Sequence, residues 1–114
     1  MQSNNTALSL PDLTKTLREF QSKGRSLLAT NFYNYETLKG VLGAAAAANQ
    51  SIILQLTQSS LKYMGTAVAV SMARTALKDF GVKAWLHLDH STSYELVYEC
   101  LENGFDSRAR APRQ

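Results

Sequence analysis

Three short apolar runs alternate with longer helical stretches along most of this chain. The runs are SLLATNF, SIILQLT and KAWLHLDH, and the stretch after each one repeats apolar residues at intervals of three and four. An earlier stretch, with Leu13, Leu17 and Phe20 in helical phase, precedes the first run. Strands separated by helices indicate βαβ units and hence a parallel sheet. The sequence therefore predicts an α/β fold with a leading helix and about three βα units.

Two architectures continue this pattern. One is an open, doubly wound sheet with helices on both faces, and the other is a closed (β/α)8 (TIM) barrel. No GxGxxG motif follows the first run, and LATNFYN lacks the glycines that cradle a phosphate, which weakens the nucleotide-binding form of the open sheet. A barrel takes roughly 250 residues. A chain of 114 residues would supply less than half of one.

The net charge of +3 comes from the end of the chain, where Arg108, Arg110 and Arg113 stand among seven residues without an acid. Without these three, the count of basic residues falls from 12 to 9 and equals the count of acidic residues. A nucleic-acid binder is expected to cluster its basic residues on one face. This balance therefore argues against a nucleic-acid partner.

Three weaker features indicate the compartment. The start, MQSNNTALSL, has neither a basic segment nor a long apolar one, so we expect no signal peptide. No run approaches the roughly 18 apolar residues of a membrane span, so we expect no membrane partner. Cys100 is the only cysteine, which excludes an intrachain disulfide and fits a reducing compartment. These features favour a cytoplasmic protein.

Polar residues follow all three predicted strands at the point where each strand ends. The first strand ends at Asn31, the second at Thr57, and the third at Asp89 and His90. Because the carboxyl ends of parallel strands share one rim, these side chains are expected on the same rim of the sheet. Both competing folds place ligands at that rim. The sequence therefore predicts a ligand site there.

Asp89 and His90 suggest metal-assisted chemistry, in which an imidazole holds the ion and a carboxylate moves a proton. Adjacent strand residues point to opposite faces, so both can reach one site only if the strand ends there. The alternative is that Asp89 caps the next helix and His90 is an ordinary rim residue, since one histidine is not a metal site. His87 is interpreted as a hydrogen-bonded core residue and Cys100 as a packing residue.

Taken together, the segments resemble the class II, metal-dependent ketose-bisphosphate aldolases. The matching pieces are ATNFYNYETL, SIILQLTQSSLKYMG and KAWLHLDHSTSYELVYECLENGFDS, and the resemblance runs from about Leu27 to Ser107. The most specific piece is LHLDH followed by a helix that ends in GF. The resemblance implies a zinc-dependent (β/α)8 barrel, usually dimeric or larger. It also implies reversible cleavage of a ketose bisphosphate into dihydroxyacetone phosphate and an aldehyde.

The resemblance also implies roles for individual residues. Asp89 matches the catalytic general acid and base, and His90 matches the first zinc ligand. Asn31 and Thr57 match positions beside the substrate, which would be a phosphorylated sugar. His87 matches a histidine of the family to which we assign no role.

The resemblance stops abruptly near the end of the chain. RARAPRQ stands where the family carries an apolar fourth strand, and alternating Arg and Ala would bury unpaired charges in a barrel wall. The chain has two histidines, whereas a catalytic zinc takes three protein ligands. We therefore expect a disordered start over 1–8, a partial aldolase barrel over 9–107, and a basic tail unrelated to the family over 108–114.

A truncated barrel of this kind leaves two functions open. The chain would belong to an aldolase family yet be inactive by itself, because its zinc site is incomplete. Alternatively, it would be a non-catalytic module, since unpaired strand edges recruit partners. In that role it would associate with itself or with a full-length aldolase subunit.

Overall fold

A computed structural model describes residues 12–108 of the chain. Its elements are helix α1 (Leu13–Ser22), strand β1 (Leu28–Asn31), helix α2 (Tyr35–Ala48), strand β2 (Ile52–Thr57), helices α3 (Gln58–Met64) and α4 (Thr66–Phe80), strand β3 (Ala84–Asp89), helix α5 (Tyr94–Glu102) and strand β4 (Ser107–Arg108). The predicted disordered start over 1–8 and the part of the predicted tail over 109–114 lie outside the described residues. No helix within residues 12–108 is long and apolar enough to cross a membrane.

The four strands form one parallel sheet in the sequential order β1-β2-β3-β4. Right-handed crossovers between strands in sequential order place the connecting helices on the same face. The burial of β2 agrees with this arrangement, because Leu54 and Leu56 are buried while Gln55 and Thr57 on the other face are half-buried. A doubly wound sheet would reverse its strand order and cover both faces. The α/β prediction is therefore confirmed, and residues 12–108 show the barrel-type order rather than the doubly wound alternative.

The core lies between the sheet and the helices on its covered face. The leucines that β2 and β3 contribute are fully or almost fully buried: Leu54, Leu56, Leu86 and Leu88. Helices α2 and α4 contribute the opposing residues, in helical phase: Leu38, Leu42, Ala69, Ala73 and Leu77. Each buried leucine stabilises the fold by about 1.5–3 kcal/mol. The core thus holds β2 and β3 rigidly together, and their carboxyl ends with them.

Side-chain caps fix where the helices after β2 and β3 begin. The Thr57 hydroxyl accepts a hydrogen bond from the Ser60 amide at 3.2 Å, so α3 begins directly at the end of β2. The sequence did not predict α3, because seven residues are too few to show helical periodicity. The Ser93 hydroxyl accepts from the Leu96 amide at 3.1 Å and caps α5. The alternative in which Asp89 caps that helix is therefore wrong.

Strand β4 is short, and the residue before it anchors it to β3. The Asp106 amide donates to the Leu86 carbonyl at 2.9 Å, and Oδ2 of Asp106 accepts from the Leu86 amide at 2.8 Å. The two residues that follow pair in parallel with β3. The boundary between the partial barrel and the basic tail, predicted between Ser107 and Arg108, therefore falls inside β4.

Candidate functional site

The carboxyl ends of β2 and β3 lie side by side, with Thr57 in register with Asp89. A pocket of about 470 Å³ opens at this rim. Its lining is rich in hydroxyl groups and includes a lysine and a histidine: Thr57, Gln58, Ser59, Lys62, His90, Ser91 and Thr92. Parallel α/β folds bind ligands at this rim. The pocket is therefore the candidate functional site.

Asp89 and His90 reach one place at the end of β3, although adjacent strand residues normally point to opposite faces. His90 has a left-handed backbone conformation, with a φ of 58°, which breaks the alternation. Its Nε2 lies 3.5 Å from Oδ1 of Asp89. The imidazole is 88% exposed and the carboxylate side chain 24% exposed, so both keep a side open to solvent. The geometric condition for a shared site is met.

Thr57 lies in the wall of the pocket and is tied into the start of α3. Besides capping α3, its Oγ1 lies 3.1 Å from the Ser59 hydroxyl and 2.9 Å from the Ser60 hydroxyl. A hydroxyl has one donor and two acceptor positions. These contacts therefore use most of the hydrogen-bonding capacity of Thr57, and they fix its side chain within the rim.

Asn31 lies on the same face of the sheet as Asp89 but not beside it. In register, Asn31 pairs with Gln55, and Gln55 pairs with His87, which is two residues before Asp89. Strand spacing and residue rise put the backbones of Asn31 and Asp89 about 12 Å apart. Asn31 is exposed and is not among the residues that line the pocket. Asp89 is not a lining residue either, but it contacts His90, which is. The structure thus places Thr57 and His90 in the pocket wall with Asp89 against His90, and leaves Asn31 at a distance.

A row of polar side chains crosses the sheet two residues before the rim, where Asn31, Gln55, His87 and Ser107 are in register. His87 Nδ1 lies 2.8 Å from the Ser107 hydroxyl on β4, as expected for a hydrogen-bonded histidine. Burial lowers the pKa of the His87 imidazole, while Asp89 opposes this shift and His90 reinforces it. The sequence reasoning missed Gln55 and Ser107 in this row. Gln55 interrupts SIILQLT two residues before Thr57, which could have placed it on the site face, whereas Ser107 belongs to an unpredicted strand.

The described residues do not by themselves fit a zinc site. Within residues 12–108, no three His, Cys, Asp or Glu side chains come together as metal ligands. His90 offers one imidazole next to one carboxylate, and a catalytic zinc takes three protein ligands. Cys100 is buried in the core, and burial, followed by the charge of Glu99, raises the pKa of its thiol to about 11. A neutral, buried thiol is a packing group rather than a ligand or a nucleophile.

Relatives and solved structures bear on the identity of this fold. A solved structure of the YdjI aldolase from Escherichia coli K12 superposes with a TM-score of 0.79 at 22% identity, covering 90% of this chain and 40% of that one. A fructose-bisphosphate aldolase from Treponema pallidum is 33% identical over 106 residues, covering 89% of this chain and 32% of that protein. One from Mycoplasma genitalium is 40% identical over 80 residues, covering 68% of this chain and 27% of that protein.

Each match covers most of this chain but a small part of the relative. The chain spans less than a third of the length of these two curated relatives. Along the chain itself, however, the family model for class II fructose-bisphosphate aldolase matches residues 11–109, which include all the described residues. The chain belongs to the class II fructose-bisphosphate aldolase family.

Proposed function

We propose that this chain supplies the first βα units of a site for reversible aldol cleavage of a ketose bisphosphate, either fructose or tagatose bisphosphate. The products are dihydroxyacetone phosphate and an aldehyde phosphate, which places the reaction in carbohydrate metabolism, as in glycolysis. The observation that carries the proposal is the 3.5 Å approach of Asp89 and His90 beside the rim pocket. That pairing occurs in a chain of the aldolase family.

Asp89 is the group that moves the proton in this proposal. Its carboxylate sits at the tip of a rigid strand, and its side chain is 24% exposed, so it is both held in position and open to the rim. In the cleavage direction it removes the proton from the hydroxyl whose carbon becomes the aldehyde carbonyl. In the synthetic direction it returns that proton. Thr57 and Asn31 contact the substrate in this proposal.

His90 is proposed as one ligand of a catalytic zinc ion. The remaining ligands would have to come from outside residues 12–108, because these residues supply a single imidazole at the rim. Bound zinc supplies Lewis acidity at the ketose carbonyl. Because this ligand set is incomplete, we propose that the chain by itself is inactive.

Zinc titration followed by NMR tests the role of His90, because the chain contains two histidines. We expect weak binding in which zinc shifts the imidazole signals of His90, and we expect His90→Ala to abolish the response. His87→Ala is the matched control and should preserve it, because the Nδ1 of His87 is engaged by Ser107. Zinc-dependent shifts at His87 with His90 unaffected would remove His90 from the proposed site.

A chimera tests the reaction itself. Residues 26–108 would replace the corresponding βα units of a complete class II aldolase, and cleavage of fructose and tagatose bisphosphates would be measured. Asp89→Asn in this chimera should lower kcat by about 10²–10⁴-fold, the usual contribution of a positioned acid or base. A folded, zinc-loaded chimera in which Asp89→Asn keeps full activity would refute the assignment. The chain alone should show no turnover, and zinc-dependent turnover would contradict the proposed inactivity.

The exposed edge of the described sheet supports a second candidate function, an interaction module. Asn31 is exposed and Gln55 half-buried on one face of the sheet, and β1 lies at one edge of the described sheet. Edge strands such as β1 carry unpaired backbone groups and pair readily with other chains. The chain would then associate with itself or with a full-length aldolase subunit. Co-purification with an intact aldolase supports this role, and a stable monomer in sedimentation argues against it.

The cellular setting is part of the same proposal. We propose a cytoplasmic protein with neither a nucleic-acid nor a membrane partner. The support is the even balance of charge outside the last seven residues and the single, buried cysteine. Fractionation of cells that express the tagged chain tests the location.

A further inference from the structure

We propose that Gln58 is a positioning residue that holds His90 in its left-handed conformation and thereby keeps the imidazole beside Asp89. The inference rests on the proposed function of Asp89 and His90, but it adds a residue from the neighbouring βα unit. Gln58 is the first residue of α3, directly after β2. It acts on the site through the loop after β3.

One side-chain oxygen of Gln58 faces three polar groups of that loop and accepts its shortest hydrogen bond from the Thr92 amide. Oε1 lies 2.9 Å from the Thr92 amide nitrogen, 3.3 Å from the Ser91 hydroxyl and 3.4 Å from the Thr92 hydroxyl. The Thr92 amide can only donate, so the Gln58 atom 2.9 Å from it is assigned as the amide oxygen rather than the amide nitrogen. The contacts join residues 33 and 34 positions apart, so they fasten one βα unit to the next.

Ser91 is itself held from a second side. It is 7% exposed, and its hydroxyl also lies 3.1 Å from the carbonyl and 3.1 Å from the amide of Ser93, the residue that caps α5. The loop is therefore fixed between Gln58 and the start of α5. Only His90 lies between this anchored segment and the last residue of β3.

The conformation of His90 needs such support. Its φ of 58° is uncommon for a residue with a Cβ atom, and conformations of this kind persist where the surroundings impose them. The His90 side chain is 88% exposed, so its own packing is a weak constraint. Gln58 suits the task because a neutral amide oxygen accepts from the Thr92 amide and faces the two neighbouring hydroxyls without adding a negative charge near Asp89.

NMR on the whole chain tests the proposal with three variants. Gln58→Leu removes the acceptor, Gln58→Glu keeps an oxygen at the same reach, and Gln50→Leu is the matched control. Gln50 precedes β2 at the opposite end of the strand, where its Oε1 accepts from Nη2 of Arg25 at 3.3 Å. The readouts are the hydrogen-exchange rate of the Thr92 amide and the ¹³Cα and ¹³Cβ shifts of His90, which report its backbone conformation.

In Gln58→Leu we expect the Thr92 amide to exchange about three- to tenfold faster, the effect of losing one hydrogen bond. The His90 shifts should leave their left-handed values. Gln58→Glu should restore both readouts, and Gln50→Leu should leave both unchanged. A change in Thr92 exchange with unmoved His90 shifts would overturn the proposal, because Gln58 would then anchor the loop without positioning His90.

A variant that fails to fold does not end the test. If Gln58→Leu is unfolded, Gln58→Ser carries the same measurement, because serine is well tolerated at the start of a helix and is too short to reach the loop. Unmoved His90 shifts in a folded Gln58→Ser variant would overturn the proposal equally. These readouts do not depend on aldol cleavage. A negative result would leave the roles of Asp89 and His90 intact, and failure of the zinc titration would leave the Gln58 result intact.

Discussion

Replacement of His90 by glycine should stabilise the chain relative to replacement by alanine. Both variants remove an imidazole that is 88% exposed, so they lose the same few contacts. At a φ of 58°, a residue with a Cβ atom incurs a steric cost of about 1–2 kcal/mol that glycine avoids. Against this, the greater freedom of glycine in the unfolded chain costs about 0.5–1 kcal/mol. The balance leaves His90→Gly about 0–1.5 kcal/mol more stable than His90→Ala, with a midpoint of about 0.75 kcal/mol.

Urea unfolding of the two variants measures this difference directly. The control pair is Thr75→Ala and Thr75→Gly in the middle of α4, where Thr75 is exposed and the backbone is helical. There the order should reverse, with glycine less stable by about 1 kcal/mol. If His90→Gly proves less stable than His90→Ala, as at Thr75, then His90 is not held in the left-handed region. The account of how it reaches Asp89 would then fail.

Three further predictions concern the surroundings of the site. Asp106→Ala removes the 2.8 Å acceptor of the Leu86 amide and should lower the free energy of unfolding in urea by about 1–3 kcal/mol. Asp106→Asn keeps an acceptor oxygen and should retain most of the stability. A loss below about 0.5 kcal/mol in Asp106→Ala would show that Asp106 does not anchor β4. Because burial lowers the pKa of His87, the unfolded chain binds the proton more readily, and the free energy of unfolding should fall as the pH drops through 6.5. His87→Gln should weaken this dependence on pH. If the dependence is unchanged in His87→Gln, it belongs to other groups. Burial raises the pKa of Cys100 to about 11, so alkylation at neutral pH should follow unfolding; rapid labelling of the folded chain would contradict its burial.

Several features of the site could be predicted from local sequence. The strands end at Asn31, Thr57 and Asp89 as expected, because each apolar run gives way to polar residues at those positions. Parallel pairing then places the three on one rim. The signal for Gln55 was present in the alternation of SIILQLT, since residues two apart in a strand share a face.

Other features of the site depend on atoms that are far apart in the chain. Gln58 meets Thr92 across 34 positions, and nothing in either local sequence indicates the contact. Ser107 meets His87 only because the short β4 pairs with β3. Two residues show no periodicity, so a strand of that length cannot be recognised from its pattern.

The sequence by itself determined the order of the longer strands and helices, the parallel sheet and the rim on which the polar residues lie, but neither α3 nor β4. These follow from the spacing of apolar residues, which is a local property of the chain. Only the tertiary structure decided that Asp89 and His90 face one place, that Asn31 lies apart from them, and that α2, α4 and α5 share one core with β2 and β3. These features depend on strand register, on one left-handed residue and on contacts between βα units, because local spacing does not specify how distant segments meet.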